Sequence, residues 1–156
     1  MSNVIAILPA RSGSKSIIDK NIKPLSGHPL IAFSIIAAKL SKKIKRVSVS
    51  TDSEEYADIA KKYGAEVPFI RPDKYSKDNS TDRDFFIHAM NWFKENENTI
   101  PEYWVHLRQT TPLRVPEKID EAINMTLNDD KTTYDHTSQK AHTTTLKQNL
   151  KRELKR

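Results

Sequence analysis

The chain has 156 residues, 37% of them hydrophobic, with a formal net charge of +6 and no cysteine. That length supports one domain with a buried core, and the lack of cysteine excludes disulfides and thiolate metal sites and suits a reducing cytoplasm. No apolar run approaches the ~20 residues of a membrane helix, and no basic stretch leads into an apolar core, so neither a membrane partner nor a signal peptide is expected.

Residues 4–8, VIAIL, are apolar throughout and predict a strand buried on both faces. Residues 29–40 predict a helix, with Leu30, Phe33, Ile36, Ala37 and Leu40 at helical spacing behind a leading proline. Arg46–Ser50 predicts a second strand. The next helix has Ser53 as its N-cap, acids in its first turn, Lys61 and Lys62 in its last, and Gly64 as its stop. Residues 66–70 predict a third strand and 71–79 a polar loop. A helix beginning at Ser80 or Thr81 carries Phe85, Ile87, Ala89, Met90, Trp92 and Phe93. Tyr103–Leu107 predicts a fourth strand and residues 116–127 a last helix. Trp92 and Trp104 fit the core better than a base-stacking platform.

The order βαβαβαβα predicts an α/β fold, a parallel sheet with helices on both faces. Ligands in such sheets gather at the carboxyl ends of the strands. The loops at 9–27, 71–80 and 108–114 are then expected on one rim, with residues 4–8 central. Composition changes near residue 130. Residues 131–156 hold seven basic residues against two acidic ones, whereas residues 1–130 hold 19 against 18. The body is therefore close to neutral and shows no interleaving of aromatic and basic residues, which argues against a nucleic-acid partner.

The loop after the first strand, LPARSGSKSIIDKNIKPLSG, sets Arg11, Lys15, Lys20 and Lys23 among Ser12, Gly13, Ser14 and Ser16. Backbone N–H groups of small residues can point at phosphate oxygens, and cations complete the neutralisation. It has neither the Walker A spacing nor G-x-G-x-x-G, and a solvated basic loop is the competing reading. His28, His88, His106, His136 and His142 show no metal-ligand spacing.

These residues carry a resemblance. The segment LPARSGSKSIIDKNIKPLSGHPLI, the stretch VSTDSEEYADIAKKYGAEVPFIRP and the loop TTPLR together resemble, in the same order, the acylneuraminate cytidylyltransferase family. The resemblance covers about residues 3–127. It implies a Rossmann-like nucleotide-diphospho-sugar transferase fold and transfer of CMP from CTP to a sialic-acid-like nonulosonic acid, with release of pyrophosphate. It implies that Arg11, Ser14, Lys15, Lys20 and Asn21 surround the CTP phosphates, Arg11 and Lys20 being catalytic through the charge they place there. It implies nucleoside contacts from Arg71 and Ser80, beside the plainer readings of a solvated arginine and an N-cap. Within HLRQTTPLR it implies that Arg108, Gln109, Thr110 and Thr111 bind the nine-carbon sugar acid, Arg108 gripping its carboxylate bidentately; a surface ion pair is the alternative for Arg108. Asp52 receives no catalytic role.

Two departures from the family pattern stand out. Ser16 replaces a usual glycine, which would cost about 1 kcal/mol if the backbone there needed positive φ. Gln109 replaces a usual proline. Family members hold Mg²⁺ with a pair of aspartates beyond the length of this sequence and pair as homodimers. The chain is thus expected to hold a nucleotidyltransferase domain over residues 1–130, incomplete at its C-terminal end, and a loosely ordered, non-family tail over 131–156, its end a truncation or a frame change. Leu146, Leu150 and Leu154 allow one short exposed helix there, and ordering the tail would require that it cover an open sheet edge. A non-catalytic nucleotide-binding remnant is the second function considered.

Overall fold

A computed structural model describes residues 3–128 with their side chains and the backbone of Tyr134–His136 and Thr143–Lys147. Strand β1 (Val4–Pro9) lies inside a five-stranded sheet, second from one edge rather than central as expected, in the order β4 (Arg46–Ser50), β1, β5 (Tyr103–Leu107), β7 (Thr143–Lys147), β6 (Tyr134–His136). It pairs in parallel with β4 and with β5, Ala6 lying opposite Val47 and Val105. Between β1 and β4 run a 3-10 turn (Lys20–Ile22), a two-residue hairpin of β2 (Pro24–Leu25) and β3 (His28–Pro29), and helix α1 (Leu30–Leu40). Helix α2 (Glu54–Lys62) follows β4, α3 (Asp82–Glu97) precedes β5, and α4 (Pro116–Asn128) follows it.

The period of two in β1 divides the core. Val4, Ala6 and Leu8 join Val47, Val49, Tyr103, Val105 and Leu107 beneath α1, α2 and α4. Ile5 and Ile7 face the other way, onto Phe85, Phe86, Ala89, Met90 and Phe93 of α3. Helices thus cover both faces, and the all-apolar first strand is explained: both of its rows are buried. Each fully buried Ile or Leu contributes roughly 1.5–3 kcal/mol. Trp104 is a core residue, its Nε1 donating to Pro101 O at 3.1 Å. Among the described residues no helix is long and apolar enough to cross a membrane.

The predicted third strand does not form as a strand. Residues 66–70 make two isolated parallel bridges outside β4, Ser48 to Glu66 and Thr51 to Ile70. Pro68 lies between them and has no N–H to give a ladder. The helix after β4 starts as the sequence suggests, with Ser53 Oγ accepting from Tyr56 N at 3.3 Å, and Gly64 ends it at φ +90°. The cap of α3 is Thr81, not Ser80: Thr81 N donates to Asp84 Oδ2 at 2.6 Å in a capping box. Thr81→Ala should lower stability by about 0.5–2 kcal/mol in urea unfolding; an unchanged midpoint would show that Asp84 alone holds the helix start.

The tail contributes to the sheet. Thr143–Lys147 forms β7, antiparallel to β5 with Thr145 opposite Val105, and Tyr134–His136 forms β6 beside it. Leu146 therefore lies in a strand rather than in the short helix its spacing allowed. The run Thr143–Thr145 is β-branched and suits that state, and β7 covers the backbone edge that β5 would otherwise expose. Residues 129–133, 137–142 and 148–156, with Leu150 and Leu154, lie outside the described residues.

Candidate functional site

The carboxyl ends of β1 and β5 open into a cavity of about 200 Å³. Its wall brings together Pro9 and Arg11 after β1, Asn21 from the 3-10 turn, Arg71, Ser80, and Arg108, Gln109 and Thr110 after β5. Tyr75, Thr81, Asp82 and Phe85 complete it. Arg11 and Arg71 thus share one rim, as the strand order required. Seven of the predicted site residues stand on this wall: Arg11, Asn21, Arg71, Ser80, Arg108, Gln109 and Thr110. Ser14, Lys15, Lys20 and Thr111 do not.

The loop after β1 is held by contacts that its sequence does not announce. Asp52, just beyond β4, accepts from Ser12 N at 2.8 Å and Ser12 Oγ at 3.1 Å. Asn21 Nδ2 donates to Arg11 O at 2.9 Å, so this amide fixes the loop as well as facing the cavity. Tyr56 OH donates to Asp19 Oδ1 at 2.8 Å, and Asp19 takes φ +52°. Burial, followed by the Asp19 carboxylate, pushes the Tyr56 hydroxyl pKa well above its ordinary value. Ser16 is not among the positive-φ residues, so serine carries no backbone penalty there.

Arg71 is not a solvated loop arginine. It is 5% exposed, its Nη2 donates to Ser50 O, and its guanidinium lies 5.6 Å over the Phe85 ring. Burial lowers its pKa to about 10, against the opposing pull of Asp52. Its Nε finds no partner among the described residues, nor does the buried Nε2 of Gln109. Two orphaned donors at one cavity are unmet hydrogen-bonding capacity for a polar ligand. Arg108 does form the surface ion pair considered for it, with Asp82, and it still lines the cavity. Asp78 Oδ1 lies 2.8 Å from Arg11 Nη1, and Asp78 Oδ2 lies 2.5 Å from Lys15 Nζ. Sequence reasoning considered Asp52 without finding its partner and passed over Asp78 and Asp82: acids in a polar loop and near helix starts carry no periodic signal, and the partners of the three are 26 to 67 residues away.

His106 points from β5 toward the same corner. It is 5% exposed, its ring sits against Phe85 and Phe86, and its Nδ1 is 4.0 Å from Asp82 Oδ2. Desolvation pushes its pKa down to about 4. A second, larger depression of about 420 Å³ over α1, lined by Phe33, Ile36, Leu40 and Leu113 among others, includes none of the predicted site residues. Among the described residues no group of three or more His, Asp or Glu is arranged to hold a metal ion.

Comparison with known proteins agrees with the fold. A family model described as Cytidylyltransferase matches residues 5–155, past residue 127 where the resemblance had been ended and into the segment set apart as a tail. The chain is 39% identical over 125 residues to a CMP-N,N'-diacetyllegionaminic acid synthase of Legionella pneumophila, covering 78% of this chain and 52% of that one. It is 37% identical over 124 residues to an N-acylneuraminate cytidylyltransferase of Escherichia coli, covering 80% and 28%. The chain thus spans from about a quarter to half of the length of these relatives. In fold it is similar to a cytidylyltransferase from Leptospira borgpetersenii, with TM-score 0.74, 19% identity and coverage of 99% of this chain and 64% of that one. A CMP:2-keto-3-deoxy-manno-octonic acid synthetase complexed with CTP gives TM-score 0.71 at 17% identity, covering 85% and 51%.

Proposed function

Because the chain belongs to the cytidylyltransferase family, we propose that its cavity binds CTP and a sialic-acid-like nonulosonic acid for transfer of CMP to the sugar, with release of pyrophosphate. The observation that carries the reading is the convergence of Arg11, Arg71 and Arg108 from three separate loops on one cavity at the carboxyl ends of β1 and β5. In the reaction the anomeric hydroxyl oxygen bonds to the α-phosphorus. The bond from that phosphorus to the bridging oxygen breaks, pyrophosphate leaves with the electron pair, and the hydroxyl proton passes to solvent or a base. Negative charge builds on the transferred group and on the pyrophosphate, so preplaced cations lower the barrier.

Within this reading Arg11 and Asn21 face the phosphates, with Ser14, Lys15 and Lys20 on the same loop behind them. Arg71 and Ser80 face the nucleoside, and Arg108, Gln109 and Thr110 the sugar acid, with Thr111 beside them off the cavity wall. Lys20 sits on the 3-10 turn off the cavity wall, so its contribution is long-range charge rather than direct contact. Mg²⁺ belongs to the proposal as the chemistry of CTP, but the described residues do not fit a dedicated metal centre, and no step here depends on one. A nucleotide-binding unit without turnover is the second reading. The first reading includes assembly as a homodimer and a cytoplasmic location.

Calorimetry of the 156-residue chain with CTP and with cytidine tests the proposal. Arg11→Ala should weaken CTP by roughly 10- to 100-fold, the ~1.5–3 kcal/mol of a charged hydrogen bond, and leave cytidine nearly unchanged. Equal losses for the two ligands would place Arg11 away from the phosphates. Pyrophosphate release from CTP and N-acetylneuraminate separates the enzyme from the non-catalytic unit.

A further inference from the structure

We propose that Asp78 and Asp82 are resident counter-anions: their carboxylates stand on the cations that a phosphate chain and a sugar carboxylate need, so that binding exchanges one anion for another. The inference rests on the functional reading above and names how that site is regulated. Asp78 joins two cations of the β1 loop, Arg11 at 2.8 Å and Lys15 at 2.5 Å, although the Lys15 side chain is 81% exposed and otherwise points to solvent. Asp82 holds Arg108, and both line the cavity. Both acids belong to one short segment, DNSTD, so a single stretch of chain neutralises cations of two loops.

The fold does not require these two carboxylates. The helix start is capped by Thr81 and Asp84, and Ser80 N is already bonded to Lys77 O at 2.9 Å. Both acids remain nearly half exposed, 45% for Asp78 and 48% for Asp82. Ion pairs so open to water are weak and are readily displaced. The Lys15 ammonium, with the Arg11 guanidinium beside it, holds the Asp78 carboxyl below the usual carboxylate range, so it is fully charged at neutral pH. A triphosphate brings several charges against one and displaces it; an uncharged nucleoside does not. Specificity follows: only a polyanion releases Arg11 and Lys15, and only a ligand with its own carboxylate releases Arg108. Until then the pairs lower the affinity of the site for stray anions such as inorganic phosphate.

The test uses the whole chain and the isosteric variants Asp78→Asn and Asp82→Asn, titrated with CTP, cytidine and N-acetylneuraminate at fixed ionic strength. Asp78→Asn should bind CTP about three- to tenfold tighter, with a steeper salt dependence, because one negative charge leaves the phosphate position. Its cytidine affinity should not change, which also shows that the variant is folded. Asp82→Asn should tighten N-acetylneuraminate added to the CTP-saturated chain by a larger factor than it changes CTP. Unchanged or weaker CTP binding by Asp78→Asn, with the parent chain still preferring CTP to cytidine, would overturn the exchange alone. A parent chain that binds CTP no better than cytidine would overturn the phosphate reading of the cavity and the exchange with it.

Discussion

Phe93→Ala should lower the unfolding free energy by about 3–5 kcal/mol, the largest loss expected of any single substitution here. Phe93 is 0% exposed on the α3 face of the sheet. Its ring meets Trp92 at 5.4 Å and Trp104 at 5.5 Å, both edge to face. The Arg46 guanidinium lies 5.1 Å over it. Arg46 in turn bonds Glu66 at 2.6 Å and Glu97 at 2.7 Å, and these bonds push the arginine pKa up and the Glu97 carboxyl down. Deleting the ring therefore opens a cavity and removes the floor beneath an ion-pair network that ties β4, the bridge residue Glu66 and the end of α3 together. Urea unfolding at pH 7, with Phe93→Leu as the volume-sparing control, should give a clear order: parent, then Leu, then Ala. A loss below about 1 kcal/mol for Ala would mean that the α3 layer collapses onto the sheet without cost.

Phe93 also shows what the sequence made legible. The strand spans of β4 and β5 coincide with those read from the sequence: in β4 Val47 and Val49 alternate with polar residues, and β5, YWVHL, is mainly apolar and buried throughout. Helix starts were legible through Ser53 and Thr81, whose side-chain oxygens compete for backbone N–H groups only at such positions. The segment 66–70 misled for a local reason: it read as a strand, but Pro68 removes the donor a ladder needs. The site was legible where chemistry is local, in the small-residue loop with its cations. It was not legible where two loops meet. No pattern in the sequence pairs Asp78 with Arg11, Asp52 with Ser12, or Asp82 with Arg108, since each contact is fixed by the fold across dozens of residues. The same limit hid the difference between Lys20 and Arg71. Both are cations in predicted binding loops, yet one lies off the cavity wall and the other is buried in it.

Acid should destabilise the protein through His106 before it protonates most carboxylates. The imidazole is buried against Phe85 and Phe86, and desolvation lowers its pKa from an ordinary 6.5 to about 4, with Asp82 opposing the shift and Arg108 and Arg114 reinforcing it. The folded state thus binds fewer protons at this site than the unfolded chain does between those two values. Stability is then fully present above pH 6.5 and is lost as pH falls toward 4. At pH 4.5 the loss amounts to roughly 2–3 kcal/mol. His88, whose pKa burial also depresses, adds in the same direction. Urea unfolding of the parent chain and of His106→Gln at pH 7.5 and pH 4.5 isolates the effect, since glutamine keeps a polar side chain but does not titrate. The parent should lose about 2–3 kcal/mol more than the variant over that interval; equal losses would show that the imidazole takes its proton without leaving the Phe85–Phe86 cleft.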